Sequence, residues 1–497
     1  MSQIIFPSIT LTPTTPRSSG PSGSSSRIVY ASKTSALDVD LTTGLQRVTG
    51  ITATDDTWTI NAALVAATST SPISYVLDGA ALSRTVLLPA AGHVTLEGTG
   101  WETGIFTQTG TNNDSVHNGG PGANVPFDGG TLTPPIPVPK ILGGDVTIKN
   151  LRVSGNRGDG KTGNCTGGDP RVPVNAQSVF ATGINLMDLN RVTLRDVMVD
   201  DCATYNVKMS NVHFVDVDNF YASRSKGDRP LNTDGLHFSG PCSEIRISNS
   251  VFECGDDPIA LNAPEGRVGT ISRVLVANCS MRNCLSMMRV YAALTPALSC
   301  TVDAVKIVNC IGDCYLMGFN LGYGIGVPGN YPGATHAISS FMAENITILT
   351  PLLAQITNNV GYLELSGIDW TLPRGGGGYG IRIGGASVVD TIRLNGFRVT
   401  PVAEGPALQG LFASENGDSS HFVHVIIDSL DTQNIQSLTY GAFPITSLFT
   451  KISGVGVLAT GWEFPDSVMA NDTLYLSATS HLPSVKIGGV VKTVTIS

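Results

Sequence analysis

The sequence predicts an all-β chain that folds as a parallel β-helix (a solenoid), with a short N-terminal capping helix and a small C-terminal β cap. Three observations predict this fold. The composition is rich in Thr, Val, Ile, Asn, Ser and Gly, with 56 glycines among 497 residues, which suits strands and turns. A short alternating motif recurs along most of the chain. Only one segment carries a clear helix signature.

The repeat has the pattern apolar–x–apolar–x–(Asn, Asp or Gly), and most of its spacings lie between 22 and 36 residues. Each unit predicts short strands closed by a residue that tolerates a left-handed turn, and stacked coils lie about 4.8 Å apart. The two long gaps, 94–146 and 146–192, could each hold two turns. A β-sandwich is the rival fold, but it does not require one recurrent phase. The units start at Val94, Val146, Val192, Val215, Ile245, Val274, Val305, Phe341, Leu363, Ile392 and Val425.

Three segments are predicted. Residues 1–50 form an extended arm or linker, because their first half is rich in Ser, Thr and Pro, and a neighbouring subunit could hold this arm. Residues 51–434 hold the β-helix and its capping helix. Residues 435–497 lose the repeat and predict a few antiparallel strands. These strands form a cap or an oligomerisation segment, because an open coil end exposes strand edges.

The capping helix is predicted over 54–67, TDDTWTINAALVAA. Thr54 or Asp55 can cap its N-terminus, and Asp56 suits the positive end of the helix dipole. Three apolar side chains are expected to share one face of this helix: Trp58, Ala62 and Val65.

Charge restricts the partners of the chain. Charged residues make up 14% of the sequence and the formal net charge is −9, which argues against a nucleic-acid partner. No apolar run reaches about 18 residues, so we expect no transmembrane helix. The N-terminal residues lack the basic and apolar regions of a secretory signal, so we expect no ordinary secretion unless a signal has been removed.

The nine cysteines all lie between Cys165 and Cys314, and none forms a Cys-x-x-Cys pair. We expect them to be small buried core residues. Cys254, Cys284 and Cys314 recur every 30 residues, which predicts a reduced internal column.

Three aspartates lie in two similar segments, LNTDGLHFSG and CGDDPIALNA. Asp234 precedes Leu236 just as Asp257 precedes Ile259, and the two aspartates are 23 residues apart, which is one short coil. Both are therefore expected near the start of the same strand on successive coils, with Asp256 beside them.

Stacked carboxylates repel each other, so one pKa rises and a protonated donor stands beside an ionised base. Hydrolysis of a glycosidic bond uses such a pair, and inverting enzymes hold the two carboxyls about 6.5–9.5 Å apart with water between them. Two other interpretations stay open. The aspartates could bond local backbone in turns, or they could bind a calcium ion.

The segments NTDGLH and GDDPIA resemble the two acidic motifs of the polygalacturonase-type glycoside hydrolases, family 28. The resemblance implies a right-handed parallel β-helix and an inverting hydrolase of pectin-like or related polysaccharides, without a cofactor or a metal. It implies that Asp256 is the general acid, that Asp234 and Asp257 activate the attacking water, and that Asn232 lies at the edge of the site.

The chain departs from the family pattern on the following coils. It has no histidine between His237 and His336, so the family's Gly-His-Gly motif is missing and a whole coil could be absent. The family's Arg-Ile-Lys motif falls on RVY, so Arg289 is expected to contact a sugar. Tyr291 replaces a lysine that would bind a sugar carboxylate, so a neutral sugar is as compatible as a uronic acid. His237, three residues after Asp234, is a further substrate-binding candidate that is expected to face away from that carboxylate.

The segment TDDTWTINAALVAA ahead of a β-helix also resembles the opening of phage tailspikes and related pectate-lyase-like proteins. This resemblance implies a homotrimer, located outside the cell or on a virion, that binds and often cleaves bacterial surface polysaccharides. Three functions therefore compete: a glycoside hydrolase, a non-catalytic carbohydrate-binding or virion-structural protein, and a polysaccharide lyase.

Overall fold

A computed structural model shows a chain built almost entirely from parallel β-strands. The structure describes these residues: 27–31, 37–40, 45–48, 56–77, 79–108, 114–118, 142–155, 182–202, 204–223, 233–265, 267, 269–294, 299–322, 336–375, 378–402, 405, 407–414, 419–431, 434–440, 445–450, 463–464, 474–477, 483–487 and 490–493.

The first part of the chain holds the helix and thirteen strands. They are α1 Thr57–Leu64, β1 Arg27–Ala31, β2 Leu37–Asp40, β3 Leu45–Val48, β4 Ile73–Leu77, β5 Ala80–Ser83, β6 Val86–Leu88, β7 Val94–Glu97, β8 Gly104–Thr107, β9 Val116–Asn118, β10 Gly143–Ser154, β11 Ile184–Asp200, β12 Val207–Asp218 and β13 Tyr221–Ala222.

The middle of the chain holds thirteen more strands. They are β14 Leu236–Ser248, β15 Val251–Phe252, β16 Ile259–Asn262, β17 Ile271–Ala277, β18 Ser280–Cys284, β19 Met288–Tyr291, β20 Ala293–Leu294, β21 Ser299–Cys300, β22 Val302–Cys314, β23 Phe319–Leu321, β24 Ile338–Leu349, β25 Ala354–Ile356 and β26 Val360–Leu372.

The last part completes the set. Its strands are β27 Tyr379–Ile383, β28 Val388–Asn395, β29 Phe397–Pro401, β30 Gly410–Ser414, β31 His421–Ile427, β32 Leu430–Asp431, β33 Thr439–Tyr440, β34 Ile445–Thr450, β35 Glu463–Phe464, β36 Leu474–Ser477, β37 Pro483–Ile487 and β38 Val490–Thr493.

Thirty of these strands form one parallel hydrogen-bonded system that winds as a β-helix with three sheets per coil. The first sheet is built on the repeat motif, and the second follows the turn after it. The third contains β6, β9, β16, β19, β23, β25, β27, β30 and β33 together with the first residues of β11, β12 and β14. The predicted parallel β-helix is confirmed.

The first sheet places all eleven motif units in a single register. The first residue of each unit, from Val94 to Val425, pairs with the first residue of the next unit. The long gaps 94–146 and 146–192 therefore hold one coil each along this sheet. The possibility of two turns in each gap is wrong, because extra length within a coil does not alter the spacing of its backbone hydrogen bonds.

The turn after each motif has the predicted left-handed conformation at nine of its eleven positions, for example Asn249 (φ 52°) and Asn278 (φ 56°). Asn and Gly tolerate this region better than residues with bulky side chains. The asparagine side chains also link successive coils: the Asn278 amide Nδ2 donates to Asn249 Oδ1 at 3.4 Å, and Asn345 Nδ2 donates to Asn309 Oδ1 at 3.2 Å.

Inward-facing apolar side chains from the coils form one continuous core from Ile60 to Leu448. The largest fully buried side chains include Phe238, Phe252 and Trp370. The eight described cysteines are buried thiols that are not joined to one another by disulfides, and Cys284 pairs in register with Cys314. Cys165 lies outside the described residues.

Helix α1 is shorter than predicted and buries a different face. Its N-cap residue is Asp56, whose side chain accepts from the Leu82 backbone N–H at 3.1 Å and makes no cap bond to the helix. Thr54 and Asp55 lie outside the described residues, and so does the side chain of Trp58. Ala62 is exposed and Val65 is 74% exposed, so the predicted face is wrong. The buried residues at this end are Ile60, Leu64 and Ala67.

The division of the chain into three segments stays a prediction. The strand pairing at the two ends of the β-helix is relevant to its boundaries. Strand β1 pairs in parallel with β4, and β34 pairs in parallel with β31, so the coil system includes residues from both predicted terminal segments. Beyond it, β36, β37 and β38 form the expected antiparallel strands, in a small sheet with β35. No helix among the described residues has the length and apolar character that crossing a membrane requires.

The left-handed turn position gives a test of the repeat. We expect Asn278→Val to lower the free energy of unfolding by about 1–3 kcal/mol, because a β-branched residue is strained at φ 56°. Asn278→Gly should change it by only a few tenths of a kcal/mol, since glycine adopts this conformation readily. Denaturant unfolding measures both. Thr347→Val, at an exposed strand position, is the control, and equal losses for all three variants would contradict the expectation.

Candidate active site

Strand register brings the aspartates together at the turn that enters the third sheet. Leu236 on β14 pairs with Ile259 on β16, and the Gly235 N–H donates to the Asp257 carbonyl at 3.0 Å. Asp234 and Asp257 therefore occupy equivalent positions on adjacent coils. Gly235 is required here, because a Cβ atom would lie 2.5 Å from the Pro258 carbonyl oxygen.

The three side chains form one tight cluster. Carboxylate oxygens of Asp234, Asp256 and Asp257 all lie within 4.8 Å of one another. The exposed fractions of the three residues are 4%, 9% and 1%, so Asp256 has the most contact with solvent. The separation is shorter than the 6.5–9.5 Å range for inverting pairs that was expected. An arrangement of this kind could also hold a cation, as the calcium interpretation supposes.

Asp257 is held by two groups on the following coil. The Ser286 hydroxyl donates to its Oδ1, and the Arg289 guanidinium Nη1 lies 3.6 Å from its Oδ2. Burial raises the pKa of Asp257 to about 6, although Arg289 opposes the rise; the Asp234 carboxylate adds to it. This aspartate therefore exchanges its proton in a range where acid–base chemistry is effective.

His237 lies between two carboxylates. Its Nδ1 is 2.7 Å from Asp234 Oδ2 and its Nε2 is 2.8 Å from Glu265 Oε2. The expectation that His237 faces away from Asp234 is wrong, because Asp234 belongs to the turn before the strand and strand alternation does not apply to it. The Tyr205 ring stacks on the imidazole with centroids 4.1 Å apart.

Electrostatics favour the imidazolium form of His237. Burial by itself lowers the pKa of His237, but Glu265 and Asp234 outweigh burial and raise it above its ordinary value. The same contact lowers the pKa of Glu265 despite its burial. The imidazolium of His237 thus bridges the carboxyl groups of Asp234 and Glu265.

Glu265 was missed by the sequence reasoning. It follows β16 in the loop NAPEG, where no periodic pattern marks a functional position. Besides His237 it binds Asn262, whose Nδ2 donates to Glu265 Oε1 at 2.9 Å. The place of Glu265 in the site is evident only from its contact with His237 on the preceding coil.

Arg289 and Tyr291 lie on the coil that directly follows the aspartate pair, because Ala260 pairs with Arg289 and Asn262 with Tyr291. The Arg289 guanidinium is 5.9 Å from the centroid of the Tyr291 ring. No coil lies between the aspartates and Arg289. This agrees with the suggestion, made from the missing histidine motif, that a whole coil is absent. Asn232 lies outside the described residues.

The carboxylate pair around His237 gives a test of this geometry. We expect Glu265→Gln to lower the pKa of His237, because one of the two charges that favour the imidazolium is removed. NMR titration of isotope-labelled histidines measures the change, with the resonance assigned from His237→Gln. The control is Glu253→Gln, whose carboxylate binds Tyr221 and Arg282 on another sheet. An unchanged titration in Glu265→Gln would contradict the assigned contacts.

Comparison with known proteins supports the motifs. Residues 140–286 match the model of glycosyl hydrolases family 28. No curated protein sequence is significantly similar to the chain.

Solved structures with a similar chain path include three of different origin. The family 28 exopolygalacturonase of Yersinia enterocolitica is 13% identical, with 87% of this chain and 80% of that chain covered, at a TM-score of 0.49. The endo-xylogalacturonan hydrolase of Aspergillus tubingensis is 12% identical, with 84% and 99% covered, at 0.47. ORF18 of Geobacillus virus E2 is 13% identical, with 89% and 84% covered, at 0.38.

The matched region ends three residues before Arg289 and includes the whole His237–Glu265 pair. The chain is thus a parallel β-helix that is similar to glycosyl hydrolases family 28 over the coils that carry Asp234, Asp256 and Asp257.

Proposed function

We propose that the protein is a glycoside hydrolase that cleaves a polysaccharide by an inverting acid–base mechanism. The observation that carries the proposal is the cluster of three carboxylates within 4.8 Å on coils that match family 28. In this proposal Asp234 and Asp257 hold and activate the attacking water, and Asp256 is the general acid. No cofactor takes part.

The short separation is compatible with one bridging water. Oxygens up to 4.8 Å apart can both accept from a water that lies about 2.8 Å from each, since the resulting angle at the water is close to tetrahedral. Attack by that water, with no covalent intermediate, inverts the anomeric centre. Direct attack by a carboxylate would retain the anomeric configuration. The anomer of the first product therefore distinguishes the inverting from the retaining mechanism.

The surroundings suit the proposed roles. Asp256, with the largest exposed fraction of the three, can reach a leaving-group oxygen at the surface of the cluster. His237, whose Nδ1 lies 2.7 Å from Asp234 Oδ2, holds that carboxyl group in place for its proposed role as a base. Arg289 lies beside Asp257, and Tyr291 follows it on the same strand; both are proposed to contact the sugar, with Asn232 at the edge.

The acid can be tested directly. We expect Asp256→Asn to lower kcat by about 10²–10⁴-fold with the fold intact, because an amide cannot protonate the leaving oxygen. Reducing-sugar release from pectins and bacterial surface glycans measures this, and NMR of the first product gives its anomer. Asp216→Asn, which removes an exposed carboxylate paired with Arg195 on the first sheet, is the control. Equal activity of wild type and Asp256→Asn would remove Asp256 from the mechanism.

The pH dependence follows from Asp257. As a base it must be ionised, and its pKa is about 6, so kcat/KM should fall as the pH drops below about 6. Arg289→Gln removes the charge that lowers this pKa, so the acidic limb should move up by about one pH unit or more. Arg398→Gln, at an exposed pair with Asp369, should leave the profile unchanged. An acidic limb of the pH profile at the same pH in Arg289→Gln and in wild type would contradict the role of Asp257 as the base.

The second candidate is a non-catalytic carbohydrate-binding or virion-structural protein. The absence of any histidine between His237 and His336 and the tyrosine at 291 favour it, since two family motifs are then altered. A location outside the cell or on a virion, and a homotrimer, belong to this proposal. Glycan binding by both wild type and Asp256→Asn without product release would support it. Release of unsaturated sugars that absorb in the near ultraviolet would instead indicate a lyase.

A further inference from the structure

A group of buried polar side chains lies on the outward face of the third sheet, on the coils beyond the aspartates. Asn320 on β23 pairs in register with Gln355 on β25, and the same row leads back to Arg289. The residues that flank Asn320 and Gln355 on their strands belong to the hydrophobic core, so these two side chains point away from it. Thr357 lies on the same face as Gln355, since its backbone N–H continues the strand pairing by donating to the Leu321 carbonyl at 2.9 Å.

These side chains carry polar atoms that the protein leaves without partners. Asn320, Gln355 and Thr357 are only 5%, 1% and 2% exposed. The Oδ1 atom of Asn320, both amide atoms of Gln355 and the hydroxyl of Thr357 have no hydrogen-bond partner in the part of the chain that the structure describes. A buried polar group without a partner opposes folding, and such groups in native proteins are normally bonded to protein, to water or to a ligand.

The neighbouring Asn358 is a contrasting amide with a structural role. It is fully buried, its Nδ2 donates to the Ala292 carbonyl at 3.1 Å, and its Oδ1 accepts from the Ala292 N–H at 3.1 Å. The Asn358 amide thus links its own coil to the coil of Ala292, two coils earlier. The Gln355 amide makes no such link among the described residues, so the stacking of the coils does not account for it.

The unpaired atoms suit the hydroxyl groups of a sugar. The Gln355 amide offers two donor hydrogens on Nε2 and an acceptor in Oε1, so it can bind two neighbouring hydroxyls at once. Asn320 Oδ1 adds an acceptor, and the Thr357 hydroxyl can donate or accept. None of the three side chains is charged, so the group has no cation of its own with which to select a carboxylate.

We infer that Asn320, Gln355 and Thr357 form a subsite for a neutral sugar of the polysaccharide. The inference rests on the proposed function and adds to its substrate class, because the polysaccharide must then contain an uncharged sugar at this distance from the bond that is cleaved. Three coil steps separate β16, the strand after Asp257, from β25. They amount to about 14 Å at the usual strand spacing, so a chain of sugars across the aspartates reaches the subsite and a single ring does not. The subsite lies outside the region similar to family 28, which ends at residue 286.

Binding tests the subsite independently of hydrolysis. Calorimetry with the Asp256→Asn protein would use the neutral octasaccharides of galactose, glucose and mannose. We expect at least one of them to bind, and Gln355→Met in the same background to weaken it by about 10-fold or more, because the hydrogen bonds from the amide to the sugar are lost. Gln436→Met, the same substitution at an exposed position, should leave the affinity unchanged.

Thermal unfolding separates a role in binding from a role in folding. Gln355→Met should leave the unfolding midpoint unchanged or raised, because an apolar side chain of similar length replaces a buried amide that has no partner. Asn358→Leu is the contrasting control. It should lower the midpoint, because the N–H and carbonyl groups of Ala292 lose their partners.

Three outcomes overturn the inference. The neutral octasaccharides all fail to bind, or Gln355→Met binds them as tightly as its parent does, or Gln355→Met lowers the midpoint as much as Asn358→Leu does. The last result would mean that the amide holds an ordered water as part of the fold. Weaker binding in Gln355→Met without any hydrolysis by wild type would sustain the inference and defeat the proposed reaction. Hydrolysis by wild type with unaltered binding in Gln355→Met would do the reverse.

Discussion

The parallel register between coils is the constraint on which the rest of the structure depends. Each coil donates to the next at the same positions, so a spacing of 23 residues along the chain, from Asp234 to Asp257, becomes one strand spacing in space. The same register stacks the apolar motif residues into one core and aligns the asparagine turns. It also fixes which side chains meet on the outward face, where Lys208, His237 and Arg289 occupy one row.

Charge balance within that face is achieved both within a coil and between neighbouring coils. His237 pairs with Asp234 on its own coil and with Glu265 on the next coil. Arg289 pairs with Asp257 from the coil that follows Asp257. Pairing offsets the loss of hydration that buried ions suffer. The balance is incomplete at Asp257, where burial prevails and the pKa rises to about 6. The acid–base chemistry proposed for the protein depends on this imbalance at Asp257.

The region similar to glycosyl hydrolases family 28 ends at residue 286, three residues before Arg289. Arg289 lies on the coil directly after the aspartates, so its guanidinium lies 3.6 Å from Asp257 Oδ2, and Tyr291 follows it on the same strand. Asp257, inside the similar region, is therefore held by a cation that lies outside it. The contact between Glu265 and His237 lies wholly within the similar region.

The sequence by itself determined the fold class and the position of the aspartates, because both depend on a period that is visible in one dimension. The eleven motif units, their asparagine turns and the equivalence of Asp234 and Asp257 follow from spacing alone. Tertiary structure decided what spacing does not encode. It set the buried face of α1, the single coil in each long gap, the orientation of His237 toward Asp234, and the contact of Glu265 with His237. These features depend on contacts between coils and turns. In a turn, strand alternation no longer predicts which way a side chain points. Between coils, a residue's partners come from a neighbouring coil and not from its own segment of sequence.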